Sequence, residues 1–210
     1  MTGFFIGKSF CYYKIMKTVL FVPSYMEDIN SRDYKTLIKN LGGNGYKIIF
    51  VSINWKYKTI DDWIKNLDDE YNKHETANTI LAGFSYGAMT AFMAATKRNP
   101  AELWLFSLSP YFKEDIESPK MRPAWLRLIG KKRVKAFSEL VFNDLSNKIK
   151  CRTLIFAGQK EMDKYPGLNF RAKDAHKKIK ESELFIAEYA GHDVAHPNYI
   201  STIIKAVSIS

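Results

Sequence analysis

The chain has 210 residues, 46% of them hydrophobic, enough for one domain with a full core and too apolar for a disordered chain. Its formal net charge is +10, which aids solubility and would favour an acidic partner such as an acyl carrier. No P-loop, RNA-binding signature or zinc-ligand spacing accompanies that charge, and no apolar run is long enough to span a bilayer, so neither a nucleic-acid partner nor a membrane span is expected.

Residues 1–16 carry Phe4, Phe5, Ile6, Phe10, Tyr12 and Tyr13, interrupted by Gly7, Lys8 and Ser9, with no cationic region ahead of them. They read as a leader or tail, or as an added strand or hairpin, and not as a secretory signal. From residue 17 the chain reads as a single α/β domain running to residue 210. Thr18 to Val22 is a continuous apolar strand ended by Pro23. Asp33 to Leu41 has a helical pattern closed by Gly42, Gly43 and Gly45. Ile48 to Ile53 reads as a second buried strand. Asp61 to His74 reads as a helix with Trp63, Ile64, Leu67 and Tyr71 on one face and acidic residues in its first turn, where they suit the helix dipole. Thr79 to Gly83 is a third strand, and Ala88 to Lys97 a helix rich in Ala and Met. Leu103 to Leu108, Thr153 to Ala157 and Leu184 to Ala187 supply the fourth to sixth strands, and a last helix runs from about residue 198 to 207.

Short apolar strands alternating with amphipathic helices predict a mostly parallel sheet of about six strands between helical layers, with all strand C-termini on one edge. The excursion between the fourth and fifth strands, about 110–150, reads as a short lid or cap above that edge. Arg127 to Lys135 and Lys173 to Lys180 read as solvated helical faces. Cys11 and Cys151 belong to no disulfide framework and no C-x-x-C motif. This usage suits a reducing cytoplasm and inert thiols.

The chemistry concentrates at Gly83-Phe84-Ser85-Tyr86-Gly87, a G-x-S-x-G pattern between a strand and a helix. Glycines two residues either side permit a turn that pushes the serine into an exposed, strained position near the positive end of the next helix. A serine hydroxyl needs a base and an acid that orients the base. Of the four histidines, His74 lies at the wrong strand end, His176 is mid-helix among lysines, and His196 resembles a helix-start residue. His192, in Ala190-Gly191-His192-Asp193 after the last strand, is the predicted base. Glu161 and Asp163 in the loop after the fifth strand are the candidate acids, with Asp115 the outside choice. One oxyanion donor should be the amide of Tyr86, and the other should come from the loop Pro23-Ser24-Tyr25-Met26.

With GFSYG at 83–87, GQKE at 158–161 and GHD at 191–193, in the order serine, acid, histidine and each after a predicted strand, the chain resembles the alpha/beta-hydrolase superfamily. The resemblance covers about residues 17–208. It implies an alpha/beta-hydrolase-like three-layer sandwich, with the acid at Glu161, three residues after the loop glycine, and Asp163 as the alternative. Where the superfamily usually has His-Gly in the oxyanion loop, this chain has Pro23-Ser24. The analogous donor is then Tyr25, or Met26 if the loop is offset. The expected activity is hydrolysis of a small-molecule carboxylic ester or thioester through an acyl-enzyme, with no metal or organic cofactor. Activity should fall at acidic pH as His192 protonates. The alternatives are an acyl-thioesterase or acyltransferase acting on a carrier-bound acyl group, and a binding protein that has lost the chemistry. Tyr111, Phe112 and Trp125 are the expected substrate-binding aromatics.

Overall fold

Short β-branched and aromatic runs form a six-stranded, all-parallel sheet of order β2-β1-β3-β4-β5-β6. The computed structural model describes residues 16–31, 34–117 and 129–208. The strands are β1 Thr18–Val22, β2 Lys47–Phe50, β3 Thr79–Phe84, β4 Glu102–Phe106, β5 Arg152–Gly158 and β6 Ser182–Ala187. The helices are α1 Tyr34–Gly43, α2 Ile60–Tyr71, α3 Tyr86–Ala95, α4 Lys113–Ile116, α5 Lys131–Ser138, α6 Phe142–Ser146, α7 Gln159–Lys164, α8 Pro166–Lys178 and α9 Pro197–Ser208. Residues 1–15, 32–33, 118–128 and 209–210 lie outside the described residues, so the expected leader and part of the expected lid do too.

Two apolar layers sandwich the sheet. On one side Tyr34, Leu37 and Leu41 of α1 and Tyr199, Ile200, Ile203 and Val207 of α9 pack on Phe21, Phe84, Phe106 and Phe156. On the other, α2, α3, α5 and α8 bury Trp63, Leu67, Met89, Phe92, Phe137 and Ala175 against Leu20, Leu81, Leu105 and Ile155. Every residue of α3 is buried, as expected of a helix apolar on all sides that lies between the sheet and α2. The expected strands and helices appear in the expected order and differ at their ends, while the segment after β5, read as a loop, is helix α7. The clearest difference is at β2. Ile48 to Ile53 reads as a buried strand, but β2 stops at Phe50 and forms a sheet edge, with Ile48, Ile49 and Phe50 only partly buried. Val51 still donates its amide to Phe21 O at 2.8 Å, and Val51 and Ile53 are buried beyond the strand.

Among the described residues a buried ion pair ties α4 to α8. Arg171 on α8 is fully buried and grips Asp115 on α4, with Nη2 2.6 Å from Oδ1 and Nε 3.0 Å from Oδ2. Its guanidinium lies 4.0 Å from the Phe142 ring centroid and 5.1 Å from that of Phe112. The Phe112 amide also donates to Asp115 at 3.1 Å. Breaking such a pair strands a buried charge, at a cost of about 3–5 kcal/mol.

Candidate active site

A single residue, Ser85, makes the turn from β3 into α3, with φ 58° and ψ −113°. A non-glycine residue at positive φ costs roughly 1–3 kcal/mol and persists only where its surroundings enforce it. Here they do. The Ser85 amide extends the β3–β4 ladder by donating to Phe106 O at 2.9 Å, and its carbonyl accepts from Ala88 and Met89 at 3.0 and 3.2 Å to start α3. The flanking glycines are a steric requirement. A Cβ on Gly83 would fall 2.2 Å from Gly87 O, and one on Gly87 would fall 2.2 Å from Val22 O, because β1, β3 and α3 bring their backbones together at this point.

His192 sits in the loop between β6 and α9. Its Nε2 lies 3.1 Å from Ser85 Oγ and its Nδ1 2.7 Å from Glu161 Oε2. The imidazole packs on the Phe84 ring with centroids 4.8 Å apart. Glu161 stands in the first turn of α7 and is 1% exposed. Its other oxygen, Oε1, accepts from the Gly158 amide at 2.8 Å and the Ser107 hydroxyl at 2.7 Å. A carboxylate with these donors places the proton of a neutral His192 on Nδ1 and leaves Nε2 as the acceptor facing Ser85. The loops carrying Glu161 and His192 are fastened to each other. Lys160 donates its amide to Ala190 O at 2.8 Å, and a Cβ on Gly158 would meet Gly191 O at 2.5 Å and Ala190 O at 2.6 Å.

The other candidates lie elsewhere. Asp163 follows Glu161 by two residues, so the helix turns its exposed carboxylate roughly 200° away; it accepts from Gln159 Nε2 at 2.9 Å. Asp115 is committed to Arg171. His196 immediately precedes α9, its Nδ1 accepting the Asn198 amide at 3.2 Å. His74 pairs with Glu70 after α2, and His176 is exposed beside Ser182. Cys151 is buried before β5, where burial raises its thiol to about 11, so little reactive thiolate forms there.

Three residues at the site have no counterpart among the sequence candidates. Ser107 (φ 49°) follows β4 and gives its single proton to Glu161. Tyr199 OH, 2.9 Å away, must therefore donate to Ser107 Oγ. Burial, reinforced by the Glu161 charge, raises the Tyr199 phenol well above its ordinary range and keeps it a donor. Ser109, 3% exposed, places its Oγ 3.0 Å from Ser85 Oγ.

The loop after β1 is pinned by Tyr34, whose hydroxyl accepts the Ser24 amide at 3.3 Å and donates to Glu27. Tyr25 and Met26 occupy the turn that follows Ser24, with Met26 at φ 61°. The Tyr25 ring lies 5.4 Å from that of Tyr86, which sets the two expected donor residues side by side. Tyr111 is 8% exposed and stacks on Tyr86 at 5.1 Å and on Phe137 at 5.9 Å. Burial raises the phenols of both Tyr86 and Tyr111. Arg133 of α5 roofs this cluster, 4.8 Å from the Tyr25 centroid, and donates to the carbonyls of Trp55, Lys58 and Ile129. Phe112, expected beside substrate, is instead fully buried among Phe92, Phe142 and Arg171 and packs the core. Trp125 lies outside the described residues.

No protein-family model and no curated protein sequence matches the chain. Solved structures do. Est1E from Butyrivibrio proteoclasticus superposes with a TM-score of 0.73 at 15% identity, over 92% of this chain and 86% of that one. MGS-MChE2, an alpha/beta hydrolase enzyme from the metagenome of sediments from the lagoon of Mar Chica, Morocco, gives 0.68 at 17% identity, over 91% and 90%. MenH from S. aureus gives 0.64 at 16%, over 92% and 95%. The fold is that of the alpha/beta hydrolases.

On this hydrolase fold the turn after β3 and the loops after β5 and β6 meet at one sheet edge, and Ser85, Glu161 and His192 come together there. Among the described residues no helix is long and apolar enough to cross a membrane, and no group of three His, Cys, Asp or Glu side chains could hold a metal ion. A hollow of about 300 Å³ lined by Ser146, Lys150, Lys178 and Lys180 lies before β5 and β6, at the edge of the sheet opposite Ser85.

Proposed function

We propose that this chain is a serine hydrolase that cleaves a carboxylic ester or thioester through an acyl-enzyme. The observation that carries the reading is the continuous relay from Ser85 Oγ through the His192 imidazole to Glu161, at 3.1 and 2.7 Å, on a nucleophile held in a strained turn. In this mechanism Ser85 Oγ attacks the acyl carbonyl while His192 Nε2 takes its proton. The tetrahedral oxyanion is held by the amides of Tyr86 and Tyr25, or Met26 in place of Tyr25, each donor worth roughly 3–4 kcal/mol. Collapse expels the alcohol or thiol, which takes the proton from His192. Water then gives a proton to His192 and attacks the acyl-enzyme, and Ser85 leaves with that proton. Glu161 keeps the imidazole in the productive tautomer and stabilises its cation throughout.

Support also comes from the neighbours: Est1E is described with ferulic acid bound, and a monoacylglycerol lipase from Paleococcus ferrophilus shares the fold. The aromatic surroundings, Tyr25, Tyr86 and Tyr111, suit an apolar or aromatic acyl group. The part of the excursion at 129–150 serves as a cap in this reading, and the hold of Arg133 on the loops at Tyr25 and Trp55 supports that role. The test is intact mass after incubation with a fluorophosphonate, on the wild type and on Ser85→Ala. One adduct on the wild type and none on the variant is the expected result. Well-folded wild type without an adduct overturns the proposal. Ester and thioester panels of graded chain length then define the substrate.

A further inference from the structure

We infer that Ser109 is a further catalytic residue, a hydroxyl donor to Ser85 Oγ that speeds release of the acyl group. The inference rests on the serine-hydrolase reading and extends it to a group outside the Ser85–His192–Glu161 relay.

Proton accounting fixes the direction of the bond. Ser85 carries one hydroxyl proton, and His192 Nε2, 3.1 Å away, must accept it because Nδ1 holds the ring proton against Glu161. The contact between Ser85 Oγ and Ser109 Oγ at 3.0 Å then has a single consistent donor, Ser109. Ser109 is held for this task. It is 3% exposed, it follows the left-handed turn at Ser107, and its carbonyl accepts the Tyr111 amide at 3.1 Å.

The consequence follows from what Ser85 Oγ becomes. A free hydroxyl oxygen accepts a hydrogen bond well. The same oxygen in an acyl ester, its lone pairs drawn toward the carbonyl, accepts poorly. As deacylation proceeds, the bond from the acyl carbon to Oγ breaks, electrons return to Oγ, and His192 delivers a proton to it. The Ser109 bond strengthens along that path. It therefore stabilises the departing serine in deacylation and disfavours the acyl-enzyme relative to the free enzyme. In acylation the bond is present at the start and gains little, so its removal leaves that step almost untouched.

The test compares wild type with Ser109→Ala on p-nitrophenyl acetate, an activated ester whose good leaving group speeds acylation so that deacylation is expected to limit turnover, and with a fluorophosphonate, which reports attack by Ser85 alone. The expected result for the variant is a kcat reduced on the order of fivefold, the effect of one neutral hydrogen bond. A larger steady-state fraction of acetylated enzyme than in wild type by intact mass, and fluorophosphonate labelling as fast as wild type or faster, should accompany it. An unchanged kcat, or equal losses in kcat and labelling, overturns the role of Ser109 while leaving the hydrolase reading in place. Wild type that neither labels nor hydrolyses overturns both.

Discussion

Glu161→Gln changes almost nothing in shape and should nearly abolish turnover. The carboxylate meets three donors. Oε1 takes the Gly158 amide at 2.8 Å and the Ser107 hydroxyl at 2.7 Å, and Oε2 takes His192 Nδ1 at 2.7 Å. Glutamine can supply an oxygen at only one of these positions. Placing its NH2 against the Gly158 N–H would leave a buried donor unmet, at about 1–3 kcal/mol. The side chain therefore settles with oxygen toward Gly158 and NH2 toward His192. Nδ1 must then accept, the ring proton moves to Nε2, and that nitrogen no longer takes the proton of Ser85. A wrong tautomer of this kind in a comparable triad costs about 10⁴-fold in kcat. The assay is p-nitrophenyl acetate turnover and fluorophosphonate labelling rate, with a thermal melt to show that the variant folds cooperatively. Asp163→Asn is the control and should stay within about twofold of wild type, since its carboxylate is exposed and bonded to Gln159. A loss below tenfold in Glu161→Gln, or a large loss in Asp163→Asn, refutes the reasoning.

Gly158→Ala should act at a distance. Its new Cβ would lie within 2.6 Å of both Ala190 O and Gly191 O, so the loop carrying His192 must shift, and a displacement near 1 Å costs about 100-fold in kcat. The melt should record an overpacking penalty of about 1–3 kcal/mol. Glu114 sets an acid limb on stability. Its burial raises the carboxyl pKa, but the amides of Asn143 and Phe142, at 3.0 and 2.9 Å, outweigh that and hold it below the ordinary value. A depressed folded pKa adds stability above the unfolded value, about 4.3 for glutamate, and that stability is lost as pH falls through the lower folded value. Urea melts of Glu114→Gln against wild type should converge as the pH drops through that window and separate above it. Parallel curves across the range would count against the assignment.

Ser85 and His192, the proposed nucleophile and base, are legible in the sequence because both positions are written in backbone requirements. Ser85 lies between two glycines that exist to avoid collisions with Gly87 O and Val22 O, and His192 follows a glycine at a strand end. The acid is harder to read. Glu161 and Asp163 share one turn of α7, and only the facing of the helix separates them. Ser107, Ser109 and Tyr199 leave almost no trace. Two serines after a strand look like loop composition, and Tyr199 fits the apolar pattern of α9. Phe112 misleads because an aromatic near the site edge and an aromatic in the core are the same letter. At β2 the run of Ile and Phe is as apolar as that of an inner strand, and only the strand order, which depends on long-range pairing, makes it an edge.

The Asp115–Arg171 bridge and the β4–β5 pairing have a consequence for how the chain could be divided. A cut between Glu117 and Ile129 would leave Ser85, Ser109 and the loop at Tyr25 on one fragment. Glu161, His192 and Tyr199 would be on the other. Neither fragment would hold a working relay. The surfaces that rejoin them would include the β4–β5 ladder, the Ser107–Glu161 bond and a guanidinium–carboxylate pair with no water to compete for it. The proposed activity would then report fragment reunion, and the chain would serve as a complementation sensor whose signal is the assembly of Ser85, His192 and Glu161.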